Sequence, residues 1–500
     1  MAQVLLGQSY YLRFDPKLWA AAQPYPPLGT LYAAAVLRER GRDVALFDAM
    51  LAASEAEWSE ALARERPRYA VLYEDSFNYL SKMCLLRMRR AAQLMIAAAR
   101  ARGCRVIVSG SDASDRPAAY FEHGAEFVLL GEGEATLAEL LDVLDAGGDP
   151  GQVPGLCRRD AAGALVRTPP RPPLRDLDAL PRPAWDLVDV ERYRRAWRAR
   201  HGYHSMNLVT TRGCPYHCNW CAKPIYGQRY ASRSPESVAA EMAWLKQAFA
   251  PDHLWFADDI FGLKPGWVER FARAVGERDA VLPFKCLSRA DLLGEPVVAA
   301  LRGAGCRTVW IGAESGSQRI LDAMEKGTRV EQIHAASRRL RAAGIEVGFF
   351  LQFGYPGEGR DDIEATLRMV RECDPDDIGI SVSYPLPGTR FHERVKHQLG
   401  DKQNWTDSDD LAMMYRGPFT TEFYRALHRV AHKEFRLRRA ARRWRRLPLR
   451  RLARAALDAA TLPLERRRLE RLARLPHQGI GPLAPGLDQA SAARPSEQEG

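Results

Sequence analysis

Long hydrophobic runs are missing from this chain: nowhere do about 18 uncharged apolar residues follow one another. The opening MAQVLLGQSYYLRFD lacks the basic start and long apolar stretch of a secretory leader. A cytoplasmic location is expected, not a spanning or exported one. Cysteine is scarce, nine in 500 residues, and an odd number of mostly isolated thiols builds no disulfide framework. Cys84, Cys104, Cys157, Cys286, Cys306 and Cys373 stand singly and are read as buried packing thiols. Acid is absent from RLRRAARRWRRLPLRRLAR, residues 436–454. Much of the formal charge of +11 therefore belongs to one segment, and nucleic acid is not the expected partner of the whole body.

What is present is ordinary globular composition, 46% hydrophobic, and at about 150 residues per domain the length suits two or three domains. Short apolar runs predict strands over 4–6, 44–47, 70–73, 106–108 and 127–130, with amphipathic helices such as 85–102 between them. That alternation is a doubly wound α/β layout, expected over 1–150, with its ligand turns at the carboxyl ends of the strands. A hairpin at 155–168 and the run PPRPPLRDLDALPRPAWDL follow; such proline density forbids helix and sheet interior, so 151–200 is expected to be a connector. Alternation resumes over 201–395, with strands at 207–210, 254–256, 284–287, 308–311, 346–352 and 378–382. Six strand and helix pairs fit an incomplete (β/α) barrel as well as an open sheet, with functional residues at strand C-termini in either case. Residues 396–475 are expected to be helical and basic, and 476–500, rich in Pro, Gly, Ser and Gln, disordered.

One loop stands out. TTRGCPYHCNWCAKPIYG places Cys214, Cys218 and Cys221 with three residues and then two between them, after an expected strand. Structural zinc wants a fourth ligand at matching spacing, and the next cysteine lies 65 residues on. His217 adjoins Cys218, so its side chain points elsewhere. A four-iron cluster on three thiolates instead leaves one iron open to a chelating substrate.

This C-x3-C-x2-C pattern, with Trp220 before the last cysteine, resembles the radical S-adenosylmethionine (SAM) family over about residues 207–387. The resemblance implies a partial (β/α)6 TIM barrel, a [4Fe-4S] cluster on Cys214, Cys218 and Cys221, and cleavage of SAM to a 5′-deoxyadenosyl radical. It also implies a donor such as flavodoxin or ferredoxin. SAM-holding positions carried over are Trp220, Asp258 and Asp259 of LWFADDIFG, and Ser288 and Arg289 of CLSRADLL. Glu314 and Ser315 of VWIGAESGS and Gly354 of FFLQFGYPGE complete the set. Read without the family, these residues are solvated loop carboxylates, a surface arginine, a helix cap and a plain turn.

A doubly wound domain ahead of such a barrel resembles the cobalamin-binding radical SAM group. That group includes anaerobic magnesium-protoporphyrin ester cyclases and methyltransferases of peptides, antibiotics and hopanoid lipids. The carriers are PYPPLGTLYAAAVLRERG, VIVSGSDAS and EFVLLGEGEATLAELL. The implied cobalamin contacts are Ser109, Gly110, Ser111, Asp112, Gly131, Glu132 and Gly133. The Asp-x-His-x-x-Gly motif is absent, and Ser109 to Asp112 stand where relatives often read Gly-Gly-Pro-His. Cobalt would lack a histidine ligand, and a domain that binds no corrinoid stays open.

The expected activity is cobalamin-dependent methylation of an unactivated carbon in a small-molecule, lipid or peptide substrate. Two alternatives stand beside it: a cyclase or rearrangement without methyl transfer, and a non-enzymatic zinc- and phosphate-binding protein. A methylthiotransferase needs a second cysteine triad, which Cys84, Cys104 and Cys157 do not form: Cys104 opens a strand at its wrong end, and Cys157 lies in the hairpin. The Arg-rich tail, with Phe435, Trp444 and Leu447, suits an anionic membrane surface or plain solvent, and Pro448 interrupts any single helix.

Overall fold

The computed structural model describes residues 2–78, 85–223, 225–401, 404–443 and 449–475. Cys84, Trp444, Leu447, Pro448 and the tail 476–500 lie outside these residues. Two main sheets organise the chain. In the first, β1 (Val4–Gly7), β2 (Val44–Phe47), β3 (Tyr69–Tyr73), β4 (Arg105–Ser109) and β5 (Phe127–Leu129) run parallel in the order β2-β1-β3-β4-β5. β1 and β3 are buried at every position, as strands covered by helices on both faces must be. The helix Leu86–Arg100 supplies part of that cover through Met88, Ala91, Ala92, Met95, Ile96 and Ala99, a stripe at helical spacing. Chain order reverses beside β1, so the ligand crevice of this sheet lies at the carboxyl ends of β1 and β3.

The hairpin placed in the connector belongs to this sheet instead. β6 (Leu156–Arg159) and β7 (Leu165–Arg167) extend it antiparallel, with Cys157 opposite Val128. The reason is physical: β5 would otherwise be an open edge, and Leu156 and Cys157 are fully buried there. The proline run stays free of long elements, but a helix follows it at Val190–His201, started by the Asp189 carboxylate accepting from the Arg192 N–H. Of that arginine-rich helix only Val190, Tyr193 and Trp197 are buried, and the Trp197 indole donates to the Pro24 carbonyl at 2.7 Å.

The second sheet contains β8 (Ser205–Leu208), β11 (His253–Phe256), β12 (Phe284–Ser288), β13 (Cys306–Glu314), β14 (Glu346–Phe353) and β15 (Asp377–Val382). All are parallel, in unbroken chain order from β8 to β15. Without a reversal, right-handed crossovers put every helix on one side, and the sheet curls into a partial barrel. Val309, Ile311, Val347 and Phe349 face the helices and share a core with Ile333 and Leu340. The alternate residues line the concave side.

β9 (Thr211–Arg212) and β10 (Ala231–Ser232) pair antiparallel and close the base of the cysteine loop. At the far end the helices Thr421–Arg443 and Leu449–Ala473 form a hairpin held by Arg436 to Asp458 at 2.6 Å and Arg466 to Glu434 at 2.7 Å. The arginines read as a free tail are partly docked: Arg438 and Arg439 donate to the carbonyls of Arg371 and Asp376, and Phe435 packs on the barrel core. Among the described residues no helix is long and apolar enough to cross a membrane.

Candidate active site

The cysteine loop leaves the barrel mouth where β8 ends, and several fixed contacts set its path. Gly213, at φ +76°, makes the turn; a Cβ there would stand 2.3 Å from the Arg229 carbonyl oxygen. The Asp258 carboxylate accepts from the N–H groups of Thr210 and Thr211 at 2.7 and 2.9 Å and from the Thr210 hydroxyl at 2.7 Å. Asn219 pins the middle: its N–H and side-chain amide donate to the carbonyls of Met324 and Ala323, and its Oδ1 accepts from the Tyr355 hydroxyl at 2.9 Å. Lys223 reaches back to the Tyr216 carbonyl at 2.6 Å.

On this frame Cys214 and Cys218 are buried and Cys221 partly so. Burial first, then Asp259 and the other thiols, pushes Cys221 up to about 12, and Cys214 is raised in the same sense. All three thiols lie on the one loop between β9 and β10. Among the described residues no group of three His, Cys, Asp or Glu side chains converges as ligands of one metal ion do. A four-iron cluster places its cysteine sulfurs on separate irons, and a single loop carrying three thiols suits that wider spacing.

The expected SAM-holding residues divide. Asp259 is exposed, and its carboxylate is among the groups that raise Cys214 and Cys221. Asp258 is instead a clamp on the strand end, with both oxygens engaged. Arg289 is also engaged: it bonds Asp291 at 3.0 Å, the Lys326 carbonyl at 2.9 Å and the Thr328 hydroxyl at 3.0 Å, and lies 3.6 Å from the centre of the Tyr216 ring. It braces the cysteine loop through that ring; Ser288 beside it is buried. Glu314 accepts from Lys326 at 2.9 Å, and both side chains are buried. Ser315 is buried and hydrogen-bonds Thr366. A Cβ on Gly354 would meet Met413 at 3.1 Å and Tyr424 at 3.2 Å, so the close approach there is made by protein. Trp220 packs beside Tyr355 and Tyr415, with its indole N–H buried and without a protein partner.

The residues expected around a corrinoid follow the carboxyl ends of β4 and β5, and several are bonded within the protein. Asp112 forms a two-point ion pair with Arg89, at 2.5 and 2.7 Å, and accepts from Tyr120 at 2.8 Å. Arg89 also bonds Asn404 at 2.7 Å, tying the strap after β15 to the first sheet. Ser109 and Gly110 close β4, Ser111 is buried, and Gly133 abuts Ser109 and Tyr73. Gly131 makes its turn at φ +71°, near the Ile225 carbonyl. Glu132 takes the Leu174 N–H at 3.0 Å and faces Arg212 at 3.5 Å, while Glu134 binds Arg212 at 2.7 Å. Arg212, immediately before Gly213, thus latches the cysteine loop to the first sheet, with the rings of Tyr32, Phe77 and Tyr226 around its guanidinium. Polar atoms without protein partners gather just after β1: Gln8 Nε2, Ser9 Oγ and Tyr10 OH.

Sequence reasoning missed Lys326, Arg212 and Glu358. Arg212 and Glu358 lay inside quoted stretches, but no spacing rule marks a single charged residue as one that the fold will bury. Glu358, with Oε2 on the Gly354 N–H at 2.7 Å and Oε1 unpartnered, is pushed by burial up to about 8.

A parallel barrel with three thiols on the loop after its first strand, faced by a doubly wound unit, defines a class of cofactor-dependent enzyme. The description "Radical SAM superfamily" matches residues 208–370. An uncharacterized methyltransferase of Pyrococcus horikoshii is 30% identical over 315 residues, covering 62% of this chain and 67% of its own. An anaerobic magnesium-protoporphyrin IX monomethyl ester cyclase of Synechocystis is 27% identical, covering 76% and 75%. The fold is shared with the radical SAM methyltransferase TsrM of Kitasatospora setae, solved with cobalamin and a [4Fe-4S] cluster bound: TM-score 0.66, 22% identity, 80% of this chain and 78% of that one. The chain belongs to the radical SAM superfamily and is an enzyme of that family.

Proposed function

We propose that this enzyme is cobalamin-dependent and transfers a methyl group to an unactivated carbon of a small-molecule, lipid or peptide substrate. The observation that carries this reading is the latch of Arg212 onto Glu134, which holds the three-cysteine loop against the sheet that would bind the corrinoid. The likeness to a methyltransferase in sequence and to a cobalamin-bound methyltransferase in fold supports it. When bound, the cluster supplies an electron, SAM a radical and the corrinoid a methyl group. Cys214, Cys218 and Cys221 hold the cluster; Asp259 meets a cationic group beside it; Glu314 and Lys326 set a polar wall of the site. The corrinoid fits the carboxyl end of β1, where Gln8, Ser9 and Tyr10 carry unpartnered polar atoms, better than it fits Asp112 or Glu132. The reading includes a cytoplasmic setting and a flavodoxin- or ferredoxin-class donor.

A cyclase or rearrangement without methyl transfer is the second reading, favoured by the engagement of Asp112 and Glu132 within the protein. The deciding experiment is purification without oxygen from cells supplied with cobalamin, followed by iron, sulfide and corrinoid analysis. About four irons and one corrinoid per chain are expected. A full cluster without corrinoid moves the assignment to the second reading. Replacing any of the three loop cysteines by alanine abolishes formation of 5′-deoxyadenosine; its persistence overturns the cluster assignment.

A further inference from the structure

The concave side of the barrel carries an arrangement that the cofactor sites leave unexplained. Trp310 in β13 and Phe350 in β14 stack with ring centres 4.6 Å apart and planes 28° apart. Neither belongs to the helix-facing core, and Phe350 is 39% exposed, although it sits in mid-strand. Two glycines make room for the pair. A Cβ on Gly348 would stand 2.4 Å from the Trp310 ring, and one on Gly379 would stand 3.2 Å from Phe350. An aromatic pair laid flat over glycines, one face open, is a shelf for another flat ring.

Register places the shelf under the candidate active site. Phe350 is the neighbour of Gly312, over which the Glu314 and Lys326 side chains meet. Trp310 precedes Gly312 by two residues on the same face, about 6.7 Å lower along the strand. One further row down on that face, by the pairings Leu287 with Trp310 and Lys285 with Thr308, stands Lys285. Its ammonium lies 5.3 and 5.4 Å from the ring centres of Trp255 and Tyr25, and no carboxylate of the described residues pairs with it. Loss of hydration lowers Lys285 to about 8. A desolvated cation without an anion is costly, and an incoming carboxylate offsets that cost.

We propose that the concave face of the barrel is the substrate chamber, and that it takes a flat, unsaturated ring system bearing an acidic group, stacked on Phe350 and Trp310 and anchored by Lys285. This rests on the radical SAM reading of the site above it and narrows the substrate class.

The test is equilibrium dialysis on the full chain, using 2-naphthoate, 2-naphthylmethanol and octanoate as probes. These separate a flat acid from a flat neutral ring and from a flexible acid. Expected is saturable binding of 2-naphthoate at one site per chain, at least about tenfold tighter than either other probe. Phe350→Leu, which keeps apolar bulk, should weaken both naphthyl probes about tenfold, and Lys285→Gln should weaken 2-naphthoate while leaving 2-naphthylmethanol unchanged. Circular dichroism verifies that both variants fold; Trp310→Leu replaces Phe350→Leu if needed. Octanoate binding as tightly as 2-naphthoate, insensitivity to both substitutions, or no saturable binding overturns the proposal. Binding needs neither cluster nor SAM turnover, so such failure is distinct from failure of iron loading or SAM cleavage.

Discussion

Glu314 sits at φ +56°, in the left-handed region that non-glycine residues enter only when held there. Its holder is Lys326, and the pair spans Gly312, where a Cβ would stand 2.7 Å from the carboxylate and 2.8 Å from the ammonium. Removing one member leaves a charge buried alone. Lys326→Met should therefore cost about 3–5 kcal/mol in denaturant unfolding, and adding Glu314→Gln should cost less than the sum of the single changes. Glu358 gives a pH dependence. Its folded value of about 8 exceeds its ordinary 4.5, so between those values the unfolded chain is ionised while the folded one keeps its proton. Stability is lost as pH rises through that window, by up to about 1.4 kcal/mol per pH unit. Glu358→Gln should flatten the slope measured by thermal unfolding between pH 5 and pH 8; an unchanged slope would assign it to other groups. Neither pair partner nor buried acid was legible in the sequence, because a residue's desolvation depends on neighbours far along the chain.

At the scale of elements, the short pair of β9 and β10 matters more than its length suggests, since it closes the base of the loop that carries all three thiols. Gly213 combines a positive φ with a backbone oxygen in the space of a side chain, so no rotamer relieves a substitution there. Gly213→Ala should destabilise the protein by more than about 1 kcal/mol and lower iron incorporation; full iron loading would show that the loop finds another path. The parallel strands of the two main sheets were legible to within three residues at either end, because short apolar runs bounded by turn residues leave little choice. The helix Val190–His201 was not, as three buried residues among arginines give a weak periodic signal. The hairpin β6 and β7 was legible as a hairpin, but its sheet was not.

For the whole molecule, the joint between the two sheets is the main structural fact. Arg212, 3% exposed, reaches across it to Glu134 and Glu132, and the strap after β15 crosses back through Asn404 to Arg89. Arg212→Met should leave two carboxylates in a buried seam, split thermal unfolding into two transitions, and weaken any coupling between corrinoid and iron contents. A single transition at nearly the parental temperature would show that the strap alone unites the halves. The basic C-terminal helices add a second lesson about charge: Asp458, Glu465 and Glu434, and not a surface partner, answer several of their arginines.

What the sequence determined by itself was the list of local facts: where short buried strands lie, where proline forbids regular structure, and that three cysteines share one short loop after a strand. Those depend on a few consecutive residues, and local geometry enforces them. The tertiary structure decided which of the named side chains face open space. Asp258, Arg289, Asp112 and Glu132 proved to be engaged by Thr210, Tyr216, Arg89 and Arg212, while Lys285 has no carboxylate partner among the described residues and Phe350 stays partly exposed. The reason is that a polar group's availability is set by whatever the fold brings within about 3 Å of it, and those partners lie tens to hundreds of residues away.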